Sequence, residues 1–346
     1  MLVVRAIQSH DLDALLDLAT QVGTGMTTLK PDREMLGERV AIAVQSFREE
    51  IAPEKRDYMF VMEDTSTGRL AGVCAIKGAV GLTEPFYNYR IGTLVHSSRE
   101  LNVFSKMETL YMSNDLTGST ELCSLFLHPD YRYGTNGKLL SKSRFLFIAQ
   151  FPQLFTEKII AEMRGFQAED GSSPFYENLS RHFFKMEFTH ADDLTSVGKK
   201  SFIAELMPRQ PMYVAYLPQP AQDVLGKVHV STAPARRLLE QEGLYFEGYV
   251  DIFDAGPVLQ ARVSELRAMR ESELAIVSAH GEEMAPEGEP LLVSNTDMHD
   301  FRMIVTSATP YLGKITLPEQ DQKLLAIHAG EPVRTLSLNV RKTANV

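Results

Sequence analysis

Leu125-Phe126-Leu127-His128-Pro129-Asp130-Tyr131-Arg132-Tyr133-Gly134-Thr135-Asn136-Gly137-Lys138-Leu139-Leu140 is a strand feeding a glycine-bearing turn and then a helix. Residues 122–127 make a short apolar run of the buried-strand type, and Leu139, Leu140, Ser143 and Phe147 fall on one side of a helix predicted over 137–148. The intervening 128–136 reads as a loop. Such a turn can hold phosphates, because the first N–H groups of a helix have no internal partner and the helix dipole adds positive potential there. On this pattern alone an ordinary strand-to-helix connection is the default reading.

Working outward, residues 2–7 read as a strand, and Ser9 offers an N-cap to a helix whose Leu12, Leu15, Leu16, Ala19 and Val22 share a face. Apolar runs at 58–62 and 70–76 flank Asp64-Thr65-Ser66-Thr67-Gly68, a turn-rich segment, so a hairpin is expected. The segment 78–118, with Gly81, Pro85 and Phe86-Tyr87-Asn88-Tyr89, reads as an elaborated insertion. A strand at 158–163, a helix over 174–184 with Pro174 in its first turn, and a strand at 201–206 complete the unit. Pro208, Pro211, Pro218 and Pro220 then break regular structure, which places a boundary after residue 207. Beyond it, a helix over 233–242 ends at Gly243 and a strand follows at 245–253. Residues 290–339 alternate short β-type runs with Gly and Pro turns. The expectation is α+β: a mixed sheet flanked by helices in 1–207, then a second α+β unit, 208–346, with a β-rich C-terminal segment.

Composition narrows the function. The 346 residues are 44% apolar and 23% charged, the balance of a globular chain. The formal charge of -10 disfavours a nucleic-acid backbone as partner and suits a cationic substrate. Cys74 and Cys123 lie in no CxxC pair and near no His at ligand spacing, so neither structural zinc nor a disulfide scaffold is expected, and each sits in an apolar run where a thiol behaves as a small hydrophobe. Arg5 and Asp11 interrupt the N-terminus before any signal-peptide core forms, and no run approaches the ~20 apolar residues needed to span a bilayer. A cytoplasmic protein without a membrane partner is expected.

The quoted stretch resembles the acyl-CoA loop of the Gcn5-related N-acetyltransferase superfamily, whose pattern is Q/R-x-x-G-x-G/A after a Pro-x-Tyr-Arg lead-in. Arg132 and Gly137 stand where that pattern expects them, whereas Thr135 takes the place of the middle glycine and Gly134 comes one residue early. The resemblance implies an acyl-CoA N-acyltransferase sheet, with the strand around Leu125 offering backbone amides to the pantetheine arm. It also implies that Arg132, Asn136, Gly137 and Lys138 meet the pyrophosphate.

A closer resemblance, from end to end, is to the arginine N-succinyltransferase family. It is carried by Tyr89-Arg90-Ile91-Gly92-Thr93-Leu94-Val95-His96, Glu121-Leu122-Cys123-Ser124-Leu125-Phe126-Leu127, Leu140-Ser141-Lys142-Ser143-Arg144-Phe145, Ala161-Glu162-Met163-Arg164-Gly165 and Ala204-Glu205-Leu206-Met207-Pro208. The implied reaction is succinyl-CoA plus L-arginine giving CoA and N2-succinylarginine, the first step of ammonia-producing arginine degradation. Succinyl-CoA is then the acyl-donor substrate, with no permanently bound cofactor and no metal. Some members also accept ornithine. Gly226-Lys227-Val228-His229 matches the family's Gly-x-Val-His, which implies that His229 is the proton-transfer residue, and Leu125 matches a succinyl-CoA contact. Val230 stands where the family usually has Pro.

The chemistry agrees with a histidine, since an α-ammonium must lose a proton before its nitrogen attacks a thioester, and an imidazole of pKa about 6.5 can accept it and return it to the CoA thiolate. Carboxylates suit the guanidinium of arginine, and Asp251 and Asp254 are the candidates. His96 competes for substrate contact, and Arg90, Ser141 and Arg144 are candidates for the succinyl carboxylate. Two rival readings stay open: a succinyltransferase preferring ornithine, and a non-catalytic regulatory subunit of a heteromer with a paralogous partner. A homo-oligomer is equally compatible.

Overall fold

In the computed structural model, which describes residues 1–22, 26–196, 198, 200–278 and 288–340, fifteen strands pair into one sheet among the described residues. They are β1 (Leu2–Ala6), β2 (Asp57–Asp64), β3 (Arg69–Lys77), β4 (Asn88–Ser98), β5 (Val103–Ser113), β6 (Thr120–Leu127), β7 (Lys158–Glu162), β8 (Met212–Tyr213), β9 (Tyr245–Asp251), β10 (Pro257–Arg262), β11 (Glu273–Val277), β12 (Leu291–Ser294), β13 (Arg302–Thr306), β14 (Lys314–Ile315) and β15 (Pro332–Ser337). The helices are α1 (Leu12–Ala19), α2 (Arg33–Phe47), α3 (Asn136–Gln150), α4 (Pro174–Asn178), α5 (Ser180–Phe184), α6 (Phe188–Ser196), α7 (Ser201–Leu206), α8 (Gln219–Gln222), α9 (Ala233–Gln241), α10 (Arg267–Glu271) and α11 (Glu319–Leu325). Across the sheet the strands run β14-β11-β15-β12-β13-β1-β2-β3-β6-β7-β10-β9-β4-β5-β8.

The period-2 alternation of a strand sends successive side chains to opposite faces. In β2, Tyr58, Phe60 and Met62 join the core beneath α3, while Met59 and Val61 join the core under α1 and α2. Both faces are therefore buried, and the strand is apolar throughout. Helix α3 lies between the sheet and α9 and α10, and almost its whole circumference is out of water. Phe147 at its centre meets Phe47, Tyr58, Phe60 and Phe301 at centroid distances of 5.1 to 5.7 Å. Truncating such a buried ring to alanine costs about 3–5 kcal/mol.

Several expectations need correction. Residues 201–206 form helix α7 rather than a strand: Ile203 and Met207, one helical turn apart, are both buried, and the Met207 N–H donates to the Ile203 carbonyl at 3.0 Å. A short apolar run does not declare its period. The single helix expected over 174–184 is two, broken at Leu179, whose φ of -132° is not helical. The insertion at 78–118 is mostly one long hairpin, β4–β5, paired from Asn88–Ser113 to Ser98–Val103. Its far end stands clear of the body and exposes Leu94, Leu101 and Phe104. The proline-rich crossing after 207 does not interrupt the sheet, since β9 and β10 lie between β7 and β4. No helix among the described residues is long and apolar enough to cross a membrane.

Candidate active site

Strands β6 and β7 run parallel but pair only at Thr120–Ile159 and Glu121–Ile160. The closed end is clamped by reciprocal bonds: Thr120 N to Thr156 Oγ1 at 2.8 Å and Thr156 N to Thr120 Oγ1 at 3.0 Å. Past Glu121 the strands part. The cause is visible in the β3–β6 register, where Val73 pairs with Phe126 and Ala75 with Cys123, so Ser124 and Leu125 together oppose Cys74. This β-bulge bends its strand, and Ser124 takes φ +53°. The Ser124 hydroxyl accepts from Arg39 Nη1 at 2.8 Å and donates to Thr28 Oγ1 at 2.9 Å, while Arg39 also pairs with Asp57. The result is a strand edge without a neighbour, opening into a cavity of about 1620 Å³.

Leu125, Arg132, Gly134, Gly137 and Lys138 line that cavity. The turn ends in the first residues of α3, whose amides are without intrahelical partners. A Cβ built on Gly134 or on Gly137 would meet nothing within 4 Å, so both glycines face open space. Arg132 folds back on the end of β6, with Nε donating to the Leu127 carbonyl at 2.9 Å and its guanidinium 5.6 Å from the Phe126 ring centre. Lys138 donates to Asn339 Oδ1 at 2.8 Å. Asn136 departs from expectation. Its side chain is buried and donates to the Tyr131 carbonyl at 3.0 Å, so it braces the turn and does not line the cavity.

His229 lies behind the other side of the cavity, which its neighbours Arg164 and Ser231 line and it does not. Gly165 bridges Val228, and the His229 N–H donates to the Arg164 carbonyl at 2.9 Å, which docks the histidine just beyond the end of β7. The half-buried imidazole has Nδ1 2.7 Å from Ser231 Oγ and 3.2 Å from the Ser231 N–H. Ser231 and Arg164 both line the cavity. With Nδ1 accepting from Ser231, the neutral ring carries its own proton on Nε2 and its lone pair on Nδ1, beside the Ser231 hydroxyl. Burial, then the positive charge of Arg164, holds this histidine below its ordinary value, so it is neutral at pH 7.

The same cavity has an acidic wall of Glu162, Asp192, Asp251 and Asp254. Burial pushes all four carboxyls up, and the charge of Asp251 adds to it at the other three: Asp192 reaches about 6, Glu162 and Asp254 stand well above the carboxylate range, and Asp251 is raised by burial against the hydrogen bonds it accepts. Asp254 is the most committed, its oxygens accepting from the Gly165 N–H at 2.7 Å and the Gly256 N–H at 2.8 Å. A Cβ on Gly165 would sit 2.5 Å from Asp254 Oδ1, so only glycine fits. Asp251 Oδ1 accepts from the amides of Phe253 and Asp254. Glu162 has one partner, Asn88 Nδ2 at 3.1 Å. Sequence reasoning missed Glu162, Asp192 and Arg164. Glu162 and Arg164 lay inside a quoted passage, whereas Asp192 comes from α6 and carries no local signal.

Three expected contacts are elsewhere. Arg90 is exposed on β4, bonding Tyr111 at 3.2 Å and Asp115 at 3.4 Å. His96, further along the hairpin, holds the Tyr213 hydroxyl at 3.0 Å. Ser141 is buried and bonds Arg144 rather than lining the cavity, whereas Arg144 itself does line it. Among the described residues, no group of three His, Cys, Asp or Glu is arranged to hold a metal.

Known proteins resemble this chain over its whole length. The sequence model of the arginine N-succinyltransferase beta subunit matches residues 2–268, and that of the subunit's C-terminal domain matches 273–337. The arginine N-succinyltransferase subunit beta of Pseudomonas aeruginosa is 49% identical over 341 residues, 99% of each chain. The arginine N-succinyltransferase of Escherichia coli (strain 55989 / EAEC) is 46% identical over 338 residues, 98% of each. The solved arginine/ornithine succinyltransferase subunit AI from Pseudomonas aeruginosa superposes with a TM-score of 0.88 at 33% identity, covering 98% of this chain and 99% of that one. The mixed sheet with flanking helices and a β-rich C-terminal region is the acyl-CoA N-acyltransferase arrangement expected from the sequence. With such identity sustained from end to end, the chain belongs to the arginine N-succinyltransferase beta-subunit family.

Proposed function

We propose that this chain transfers the succinyl group of succinyl-CoA to the α-amino group of L-arginine by direct attack in a ternary complex. The observation that carries the reading is one cavity with two unlike walls. One wall is the open edge of β6 with the start of α3, suited to a pantetheine arm and phosphates; the other is the acidic quartet, suited to a cation. In the reaction the His229 imidazole takes a proton from the α-ammonium, and the amine nitrogen bonds to the thioester carbon. Backbone N–H groups near Leu125 hold the oxyanion. The C–S bond then breaks; of the two protons the nitrogen sheds between ammonium and amide, one reaches the thiolate from the imidazolium and the other leaves to solvent. An acyl-enzyme is not needed: burial pushes the Cys74 thiol up to about 11 and raises Cys123 too, so neither supplies a ready thiolate.

We assign the guanidinium of arginine to the acidic wall, where Glu162 and Asp192 have the least committed oxygens and where a bound cation would itself favour the ionised carboxylates. The test is thiol release from succinyl-CoA by the purified chain, with and without L-arginine, with L-ornithine alongside and His229→Ala in parallel. Arginine-dependent release lost in the variant is the expected result. Absence of release from the purified chain would favour a regulatory subunit that needs a partner, and release unaffected by His229→Ala would discard the assigned catalyst.

A further inference from the structure

Arg144 lies in the middle of α3, 2% exposed, yet it lines the site cavity. Among the described residues four Lys or Arg side chains are buried, Arg144 one of them. Arg5 pairs with Asp11 at 2.7 Å, and Lys142 and Arg267 share the carboxylate of Glu242. Arg144 differs. Its hydrogen bonds run to Ser141, from Nε to the carbonyl at 3.3 Å and from Nη2 to the hydroxyl at 3.2 Å, and both acceptors are neutral. A guanidinium withdrawn from water is normally compensated by an anion, and its planar fork matches a carboxylate. Burial lowers its proton affinity, as expected for a cation without a counter-charge.

Its position says what anion would meet it. Cys74, the residue opposite the β6 bulge, has Sγ 3.3 Å from the Leu140 carbonyl and 3.5 Å from the Ser143 hydroxyl. The turn of α3 that carries Arg144 therefore packs against the bulge, beside the strand edge assigned to the thioester. A dicarboxylic acyl group attached there carries a carboxylate at its far end, whereas a simple fatty acyl group ends in a methyl that would leave the cation unpaired.

We propose that Arg144, oriented by Ser141, binds the distal carboxylate of the acyl donor and so makes the site select dicarboxylic acyl-CoA thioesters over neutral ones of equal length. This rests on the reading of the cavity as an acyl-CoA N-acyltransferase site. The experiment compares kcat/KM for succinyl-CoA and butyryl-CoA, at saturating L-arginine, in the native chain, Arg144→Met and Arg144→Lys. The native chain should favour succinyl-CoA by about 100-fold or more, as rejection of a ligand that leaves a buried polar group unpaired is strong. In Arg144→Met that ratio should collapse toward one, and Arg144→Lys should keep part of it. A ratio preserved in a folded Arg144→Met, with both rates falling in proportion, would overturn the proposal in favour of a packing role. If the variants do not fold, the native ratio still decides, since equal use of the two donors refutes a buried cationic subsite. Should the native chain turn over neither donor, the acyltransferase reading itself fails. Calorimetric binding of the two thioesters to the native chain and Arg144→Met would then still report on Arg144, with equal affinities refuting it.

Discussion

The main-chain N–H of His229 donates to the carbonyl of Arg164 across 2.9 Å, so the imidazole and the guanidinium are carried by one joint at the end of β7. Burial and the charge of Arg164 both disfavour the imidazolium. The acid limb of kcat/KM should therefore lie below the ordinary histidine value of about 6.5. Activity falls as pH drops through that limb, because a protonated His229 cannot accept the substrate proton. Arg164→Met removes the neighbouring charge, favours the imidazolium and should move the limb to higher pH. A pH–rate profile that stays in place would sever the proposed coupling.

Loss of the imidazole itself should be far more damaging than loss of its neighbour. His229→Ala should lower kcat about 10²–10⁴-fold, the range for a removed general acid–base group. Ser231→Ala removes only the hydroxyl that holds Nδ1, so its loss should be smaller. Equal losses in the two variants, measured on folded protein, would shift the chemistry away from the ring.

On the acidic wall, Asp192 is pushed up to about 6 by burial and Asp251. A bound guanidinium favours the ionised carboxylate, so arginine binding near pH 6 should release protons, and KM for arginine should rise as pH falls through that value. Calorimetry in two buffers of different ionisation enthalpy reads the proton count directly. Asp192→Asn should reduce the release and raise KM for arginine more than KM for succinyl-CoA. Buffer-independent heats near pH 6 would remove Asp192 from the acceptor site.

How much of this was readable beforehand depended on sequence distance. The β6-turn-α3 unit is contiguous, and its apolar period and glycines announce it, which is why Leu125, Gly137 and Lys138 all line the cavity. The β6 bulge announces nothing: Ser124 is not glycine, and its positive φ is held by Arg39 and Thr28, which are distant in the chain. The acidic wall draws on β7, α6 and the 251–254 turn, three elements that only the folded sheet brings together. Arg90 and His96 belong to a well-matched passage, but the passage is a strand of an outlying hairpin, and resemblance does not tell a structural strand from a substrate contact.

The buried Glu242 is another feature that spacing could not foretell. It receives Lys142 from α3 and Arg267 from α10, and Arg267 continues to the Ser337 carbonyl at 3.2 Å beside the C-terminal strands. Glu242→Gln leaves two buried cations without their shared anion, and removing one partner of such a group typically costs about 3–5 kcal/mol. Denaturant unfolding should show that loss. A change within 0.5 kcal/mol, roughly that of a surface substitution, would mean that the two cations find water.

Gly137 offers a separation of stability from binding. It lies in the first turn of α3, and a Cβ there meets nothing within 4 Å. Replacing a helical glycine generally gains about 0.5–1 kcal/mol by restricting the unfolded chain. Gly137→Gln should therefore hold or raise the melting temperature. The same side chain would enter the space where the phosphates of the donor are assigned, so KM for succinyl-CoA should increase about tenfold while KM for arginine changes little. If the variant is destabilised, the open space around Gly137 is filled by something other than ligand. If it is stable and binds the donor normally, the pyrophosphate does not approach this turn, and the amides at the start of α3 do not serve the reaction.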